Sequence, residues 1–213
     1  MPDKTQEQVW DEIAHLWNKN KVHPLGMKDS IIKDFLNDKD EKVLDLGCGS
    51  GRNFVSLKDA RFKGVIYGVD FSASMLEYAE ENAEKLGIKV ILKKVNVWET
   101  GFEDNFFDKA IFIATLHCVV GEKQRKQAIK EIYRILKPKG RAIITVWNKN
   151  AKRWKNKPKE KIVSWKLDEN TKVNRYYYLY DQGELIKELE NAGFKIIKKN
   201  REEARNIVLE VEK

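Results

Sequence analysis

The stretch Val43-Leu44-Asp45-Leu46-Gly47-Cys48-Gly49-Ser50-Gly51 constrains this chain more than any other. It reads as a short apolar strand that ends at an acid and enters a glycine-rich turn, with a helix following from about Asn53. Glycines at alternate positions permit a tight turn and leave no side chain between the backbone and a ligand. The dinucleotide fingerprint, Gly-x-Gly-x-x-Gly, places a pyrophosphate at a helix N-terminus. Here the place of that fingerprint's third glycine holds Arg52 when counted from Gly47, or Phe54 when counted from Gly49, and Asp45 would repel an incoming phosphate. An acid at this place suits a cationic amine.

A second acid lies 19 residues beyond Gly51, where Val65-Ile66-Tyr67-Gly68-Val69-Asp70 reads as the next strand. A carboxylate at the end of the second strand of a β-α-β unit accepts both ribose hydroxyls. A nucleoside that carries an ammonium group satisfies both acids, and S-adenosylmethionine is such a ligand. Asp45, Gly47, Cys48, Gly49, Gly51 and Asp70 are therefore candidate cofactor contacts. The bland alternative is a glycine turn in some other α/β sheet, with Asp70 as a helix cap.

The rest of the chain alternates helix and strand. Val9, Ile13, Leu16 and Trp17 recur at helical spacing, which predicts a helix over Thr5–Lys19. Pro24 and Gly26 break the chain before a second helix over Lys28–Leu36. Residues 1–40 thus precede the first strand, and these helices are expected to cover the ligand mouth. Strands follow at Lys42–Leu46, Val65–Asp70, Lys89–Val95, Phe107–Ala114, Arg141–Trp147, Phe194–Lys198 and Asn206–Val211. Helices are expected over Ser72–Leu86, Glu122–Leu136 and Asp181–Ala192, with Gly87, Lys137-Pro138-Lys139-Gly140 and Gly193 as stops. This order predicts an α/β, Rossmann-like, mostly parallel sheet with helices on both faces. Ligands then bind beyond the strand C-termini, where Asn96 and Val97 would meet an adenine and Phe71 or Trp98 could stack on it. Ala114 ends the fourth strand and joins these candidates.

Charge is uneven. The 213 residues carry a net +8, and from Lys149 to Arg175 ten Lys and Arg face three acids, a local +7. A segment of this kind, also bearing Trp154 and Trp165, favours a polyanion such as RNA over a small neutral substrate. Lys152, Arg153, Lys155, Lys157 and Arg175 are its candidate contacts, within a basic insertion over residues 148–175. The alternative is a solvated, lysine-rich loop. Neither Cys48 nor Cys118 shows metal spacing, so no metal site is expected. No apolar run is long enough for a membrane span, and Met1-Pro2-Asp3-Lys4-Thr5 lacks a signal-peptide core, so the cytoplasm is the expected compartment.

Asp45-Leu46-Gly47-Cys48-Gly49-Ser50-Gly51, the Asp70 strand, Phe107-Asp108 and Leu136-Lys137-Pro138-Lys139-Gly140 together resemble the class I S-adenosylmethionine-dependent methyltransferases over essentially the whole chain. That resemblance implies one domain over 1–213 and a seven-stranded sheet of order 3-2-1-4-5-7-6, its last-placed strand antiparallel. Trp10-Asp11-x-Ile13-Ala14, Ile113-Ala114-Thr115-Leu116-His117, Thr145-Val146-Trp147 and Arg175-Tyr176-Tyr177-Tyr178-Leu179-Tyr180 are similar to the tRNA wobble-uridine methyltransferases. Those enzymes esterify 5-carboxymethyluridine to 5-methoxycarbonylmethyluridine and release S-adenosylhomocysteine. The family often has a second His where Cys118 stands, Arg in place of Lys21 and Trp in place of Leu25. A carboxylate nucleophile needs no general base, but it does need a cation or donor to orient it. His117 and Lys21 are the candidates, the alternative for His117 being a satisfied histidine at a strand end. The resemblance also implies tRNA as a partner, and a small zinc-binding activator docked on the edge strand Lys89–Val95. Cover of that edge by the chain's own N-terminal helices is the rival arrangement. An enzyme acting on a small molecule is the rival function.

Overall fold

Thr5 opens the first helix with a reciprocal capping pair: its Oγ1 accepts from the Gln8 N–H at 3.2 Å and its own N–H donates to Gln8 Oε1 at 2.9 Å. Helix α1 then runs Gln6–Lys21, and α2 runs Met27–Phe35. This computed structural model describes residues 4–21, 27–37, 39–60 and 62–213, without the side chains of residues 21, 27–30 and 59. The breakers Pro24 and Gly26, and Leu25 between them, lie outside the described residues. Strand β1 (Lys42–Leu46) leads through the glycine turn into α3 (Phe54–Asp59), then β2 (Val65–Asp70), α4 (Ala73–Leu86) and β3 (Val90–Lys94). Ser72 caps α4 by accepting from the Met75 N–H, and Gly87 ends it in the left-handed region at φ +65°.

The second half carries β4 (Phe107–Ile113), a 3-10 turn at Leu116–Cys118, α5 (Glu122–Ile135), β5 (Leu136–Trp147), β6 (Glu160–Lys166), β7 (Lys172–Tyr178), α6 (Gln182–Asn191), β8 (Lys195–Lys199) and β9 (Asn206–Glu212). Asp181 caps α6 by accepting from the Glu184 N–H at 2.8 Å. The seven-stranded sheet has the order β3-β2-β1-β4-β5-β9-β8. It is the expected 3-2-1-4-5-7-6 order, renumbered because β6 and β7 form a two-stranded sheet of their own. Strand β9 runs antiparallel to both β5 and β8, whereas β1–β2, β2–β3 and β4–β5 are parallel.

Two differences from the sequence expectation have physical causes. The segment Leu136–Gly140 belongs to β5 and is not only a helix stop. Leu136 pairs with Phe107, and the register resumes only where Arg141 pairs with Lys109. Pro138 has no N–H for the ladder, and Lys139 sits at φ +64°, so the chain between bulges outward. The second difference is the hairpin β6–β7 inside the basic insertion. Its lysines mask a period-two pattern in which β6 alternates exposed and half-buried residues.

The chain divides into two compact units, one holding the residues up to Val97 together with Ser164–Arg175, the other Trp98–Val163 with Tyr176–Lys213. In the first, Val9, Ile13 and Ala14 of α1 pack with Met75 of α4 and Val173 of β7. In the second, the β4 run Ala110–Ile113 is buried, as a central parallel strand requires. Strand β3 ends the sheet order; Ile91 is 43% exposed there, while Lys94 pairs with Glu7 of α1 at 2.8 Å. No helix among the described residues is long and apolar enough to cross a membrane.

Candidate active site

The glycine turn is held from beneath. The N–H groups of Gly47 and Cys48 both donate to the Val69 carbonyl, at 2.8 and 2.9 Å, which ties the turn to the end of β2. Gly49 and Gly51 adopt φ +53° and +76°, in the left-handed region. A Cβ on Gly51 would lie 2.5 Å from the Phe54 ring, so that position serves close packing. A Cβ on Gly49 would meet nothing within 4 Å, so open space stands over the turn at that point. Cys48 is buried, and burial followed by the nearby Asp45 and Asp70 charges pushes its thiol pKa well up. It is a packed, protonated side chain there and no nucleophile.

Asp45 is fully buried, and both its oxygens accept from the Asn53 side-chain amide, at 3.2 and 3.1 Å. Asp70, at the end of β2, accepts from the Gly49 N–H through Oδ2 at 2.9 Å and from the Ser72 N–H through Oδ1 at 3.0 Å. Burial raises its pKa to about 6, although the N–H donors of Ser72, Gly49 and Phe71 pull the other way. Each carboxylate oxygen has a second lone pair for a hydroxyl donor. Asn96 is exposed, Val97 buried, and Phe71 and Trp98 half-buried. These residues fit a nucleoside cofactor: an acid for the ribose, open space over a side-chain-free turn, and accessible polar and aromatic groups.

Helix α1 is bound to this turn by contacts that periodicity alone does not announce. Asp11 Oδ1 accepts from the Ser72 hydroxyl at 2.6 Å and from the Ser74 N–H at 3.1 Å. About two turns further along α1, Asn18 Oδ1 accepts from the Asn82 amide, which also donates to the Ser50 carbonyl, each at 2.8 Å. The signal in the sequence is Asp11 itself, an acid beside the apolar stripe of a helix, where Asp is a poor helix former.

In the second unit, Ala114 follows β4 at φ +57°, unusual for a residue with a Cβ, and its N–H donates to both Oγ1 and the carbonyl of Thr145 at 3.0 Å. His117 is 1% exposed. Its Nδ1 accepts from the Trp147 N–H at 3.3 Å, and its ring stacks on Trp147 and leans on Tyr177. An Nδ1 that accepts leaves the ring proton on Nε2, so aromatic rings and the Trp147 N–H fix the orientation of the imidazole while Nε2 is its donor. Lys21 is the last residue of α1, and its side chain lies outside the described ones.

The basic segment separates into two kinds of residue. Lys152, Arg153, Lys155 and Lys157 are exposed. Among them Arg153 lies over the Trp154 ring, 4.5 Å from its centroid, and Trp154 stacks in turn on Trp147. Arg175 is different. It is 6% exposed, with its guanidinium 4.6 Å from the centroid of Trp165 and within 5.8 Å of those of Trp10 and Trp17. Its guanidinium is packed among these rings, unlike the four exposed residues.

A family profile described as a methyltransferase domain matches residues 37–193. The tRNA (carboxymethyluridine(34)-5-O)-methyltransferase of Schizosaccharomyces pombe is 27% identical, over 89% of this chain and 88% of that one. The 2-phytyl-1,4-naphtoquinone methyltransferase of Nostoc punctiforme is 32% identical over 65% of this chain and 53% of its own. Among solved structures, a SAM-dependent methyltransferase from Methanosarcina mazei superposes with a TM-score of 0.72 at 24% identity, covering 86% of this chain and 96% of its own.

Proposed function

This chain belongs to the class I S-adenosylmethionine-dependent methyltransferases, and from that premise we propose that it methylates tRNA, esterifying 5-carboxymethyluridine at the wobble position. The observation that carries the reading is the end-to-end similarity to the Schizosaccharomyces pombe tRNA methyltransferase, in a chain whose +7 segment exposes Lys152, Arg153, Lys155 and Lys157. The cofactor supplies an electrophilic methyl group on a sulfonium. The protein's part is to bind, align and keep out water. In this reading Asp70 takes the ribose hydroxyls and Asp45 with the glycine turn faces the methionine ammonium. Asn96 and Val97 face the adenine, with Phe71 or Trp98 stacked on it, and Ala114 borders the methionine end. A carboxylate substrate is already ionised at neutral pH, so no side chain has to remove a proton. In this reading His117 and Lys21 supply the donor and the cation that orient it.

The deciding experiment incubates the protein with unmodified and carboxymethylated tRNA and isotopically labelled cofactor, then analyses the nucleosides by mass spectrometry. Label in a methyl ester of carboxymethyluridine is the expected result. The similarity to a naphthoquinone methyltransferase favours a second reading, a small-molecule substrate. Under that reading tRNA gains no label, and tRNA binding is weak and without a steep salt dependence. Docking of a small zinc-binding activator on β3 belongs to the first reading. The exposed Ile91 supports it and the Glu7–Lys94 pair limits it to the first half of the strand.

A further inference from the structure

Three hydrogen-bonded steps connect α1 to the glycine turn. Asp11 Oδ1 accepts from the Ser72 hydroxyl at 2.6 Å, the Ser72 N–H donates to Asp70 Oδ1 at 3.0 Å, and Asp70 Oδ2 accepts from the Gly49 N–H at 2.9 Å. Ser72 is fully buried and Asp70 nearly so, so the middle of this chain is shielded from water. Ser72 Oγ is also the acceptor for the Met75 N–H, which fixes its hydroxyl proton towards Asp11. The Ser74 N–H, bound to the same Asp11 oxygen, pins the carboxylate over the first turn of α4. The bridge from Asn18 through Asn82 to the Ser50 carbonyl binds the same helix to the same turn at a second point.

We propose that Asp11 is a positioning residue for the cofactor: through Ser72 it sets the place of the Asp70 carboxylate, so that docking of α1 and occupation of the ribose site are coupled. The inference rests on Asp70 being the ribose acceptor. Two carboxylates joined through one serine respond to each other. Without Asp11, the Ser72 hydroxyl is free to rotate and the first turn of α4 loses an anchor, so Asp70 is less well placed for two hydroxyl donors. Coupling of this kind is reciprocal: a ligand that orders Asp70 must also favour the docked helix, by the same factor.

The charge that acts on Asp70 is that of Asp11 on α1, and Asp70 acts in turn, with Asp45, on the neutral Cys48 thiol in the turn. Lys94 of β3 also feels Asp11 and pairs with Glu7. Removing the Asp11 charge therefore eases ionisation of Asp70 and moves the acid limb of cofactor binding to lower pH.

The test measures S-adenosylhomocysteine affinity by calorimetry from pH 5 to 8 for the wild type, Asp11→Asn, Asp11→Ala and Asp70→Ala, with amide exchange of α1 read in parallel. Asp11→Ala is expected to weaken binding about tenfold at pH 7.5 and to abolish the protection that the ligand gives α1. Asp11→Asn keeps an acceptor oxygen. It should retain affinity within a fewfold at pH 7.5 while its acid limb moves down. If both variants bind as the wild type does, with the limb unmoved, the proposal is overturned, even where their melting temperatures fall. If Asp70→Ala also binds as the wild type does, the ribose assignment itself has failed. Should Asp11→Ala not fold, the pH limb of Asp11→Asn alone decides.

Discussion

Asn53 opens α3 without capping it, and its amide instead donates to both oxygens of Asp45 at 3.2 and 3.1 Å. In the dinucleotide fingerprint a glycine close to this point lets helix and strand approach each other. Here the approach is bridged by a donor that keeps a fully buried carboxylate in place under the turn. Asn53→Ala should therefore cost about 1–3 kcal/mol by leaving part of a buried acceptor unmet, which is roughly 2–12 °C in melting temperature at this size. Thermal unfolding checks it. A variant that melts with the wild type would mean that Asp45 does not depend on this donor.

Gly49 and Gly51 should respond differently to alanine. Both carry positive φ, a strain of roughly 1–2 kcal/mol for a residue with a Cβ. At Gly51 the added carbon also lies 2.5 Å from the buried Phe54 ring, so Gly51→Ala is expected to lose clearly more thermal stability. Gly49→Ala meets no atom of the protein and should fold. Its methyl instead stands in the space over the turn, and cofactor affinity should fall more than tenfold. Calorimetry finding an undiminished affinity would remove the turn from the cofactor site.

The acid limb of cofactor binding should lie near pH 6. Asp70 accepts two hydroxyls only when ionised, and burial has raised its pKa to about 6. Affinity should fall roughly tenfold per pH unit below that value. Asp70→Ala should bind more than tenfold more weakly and lose the limb. The same shift acts on stability with a definite sign. Between the ordinary carboxyl value of 3.8 and about 6 the unfolded chain is ionised at this position while the folded one holds its proton. This residue's contribution to stability therefore falls as pH rises through that window and is constant above it.

The two kinds of basic residue predict two phenotypes. Replacing Lys152, Arg153, Lys155 and Lys157 together by alanine should weaken tRNA binding and lower the log–log salt slope by roughly 0.7–0.9 for each phosphate no longer neutralised. Melting temperature and cofactor affinity should hardly change. Arg175→Ala should instead lower the melting temperature, since it leaves Trp10, Trp17 and Trp165 without the guanidinium packed against them. Filter binding across salt concentrations and thermal melts separate the cases. An unchanged salt slope in the quadruple variant would leave that segment a solvated surface.

What is legible in the chain follows from period and spacing. The sheet strands, the glycine turn and Asp70 are local signals: apolar runs, glycines at alternate positions, an acid at a strand end. The hairpin β6–β7 is not legible, because β6 exposes Ile162 while its half-buried positions include Lys161, so residue type does not follow the alternation. The surroundings of Arg175 and His117 escape the sequence for one common reason. Residue type alone gives an arginine to the surface and a histidine to chemistry, but the aromatic rings that enclose them come from sequence-distant elements. Asp11 is visible as a motif position, yet its role needs Ser72 to be seen beside it.

The core beneath α1 is completed by Val173 and by Trp165 packed against it, residues of the late hairpin. Helix α1 is made well before this hairpin, and the side chains that finish its bed follow only after the whole of α5 and β5. Until then its apolar stripe lies on Met75 and Tyr78 of α4, and the closing contacts join residues far apart in sequence, the kind that slows folding. Growing chains should therefore expose Val9 and Ile13 until the hairpin has been made, so this helix needs shielding while the intervening strands are synthesised.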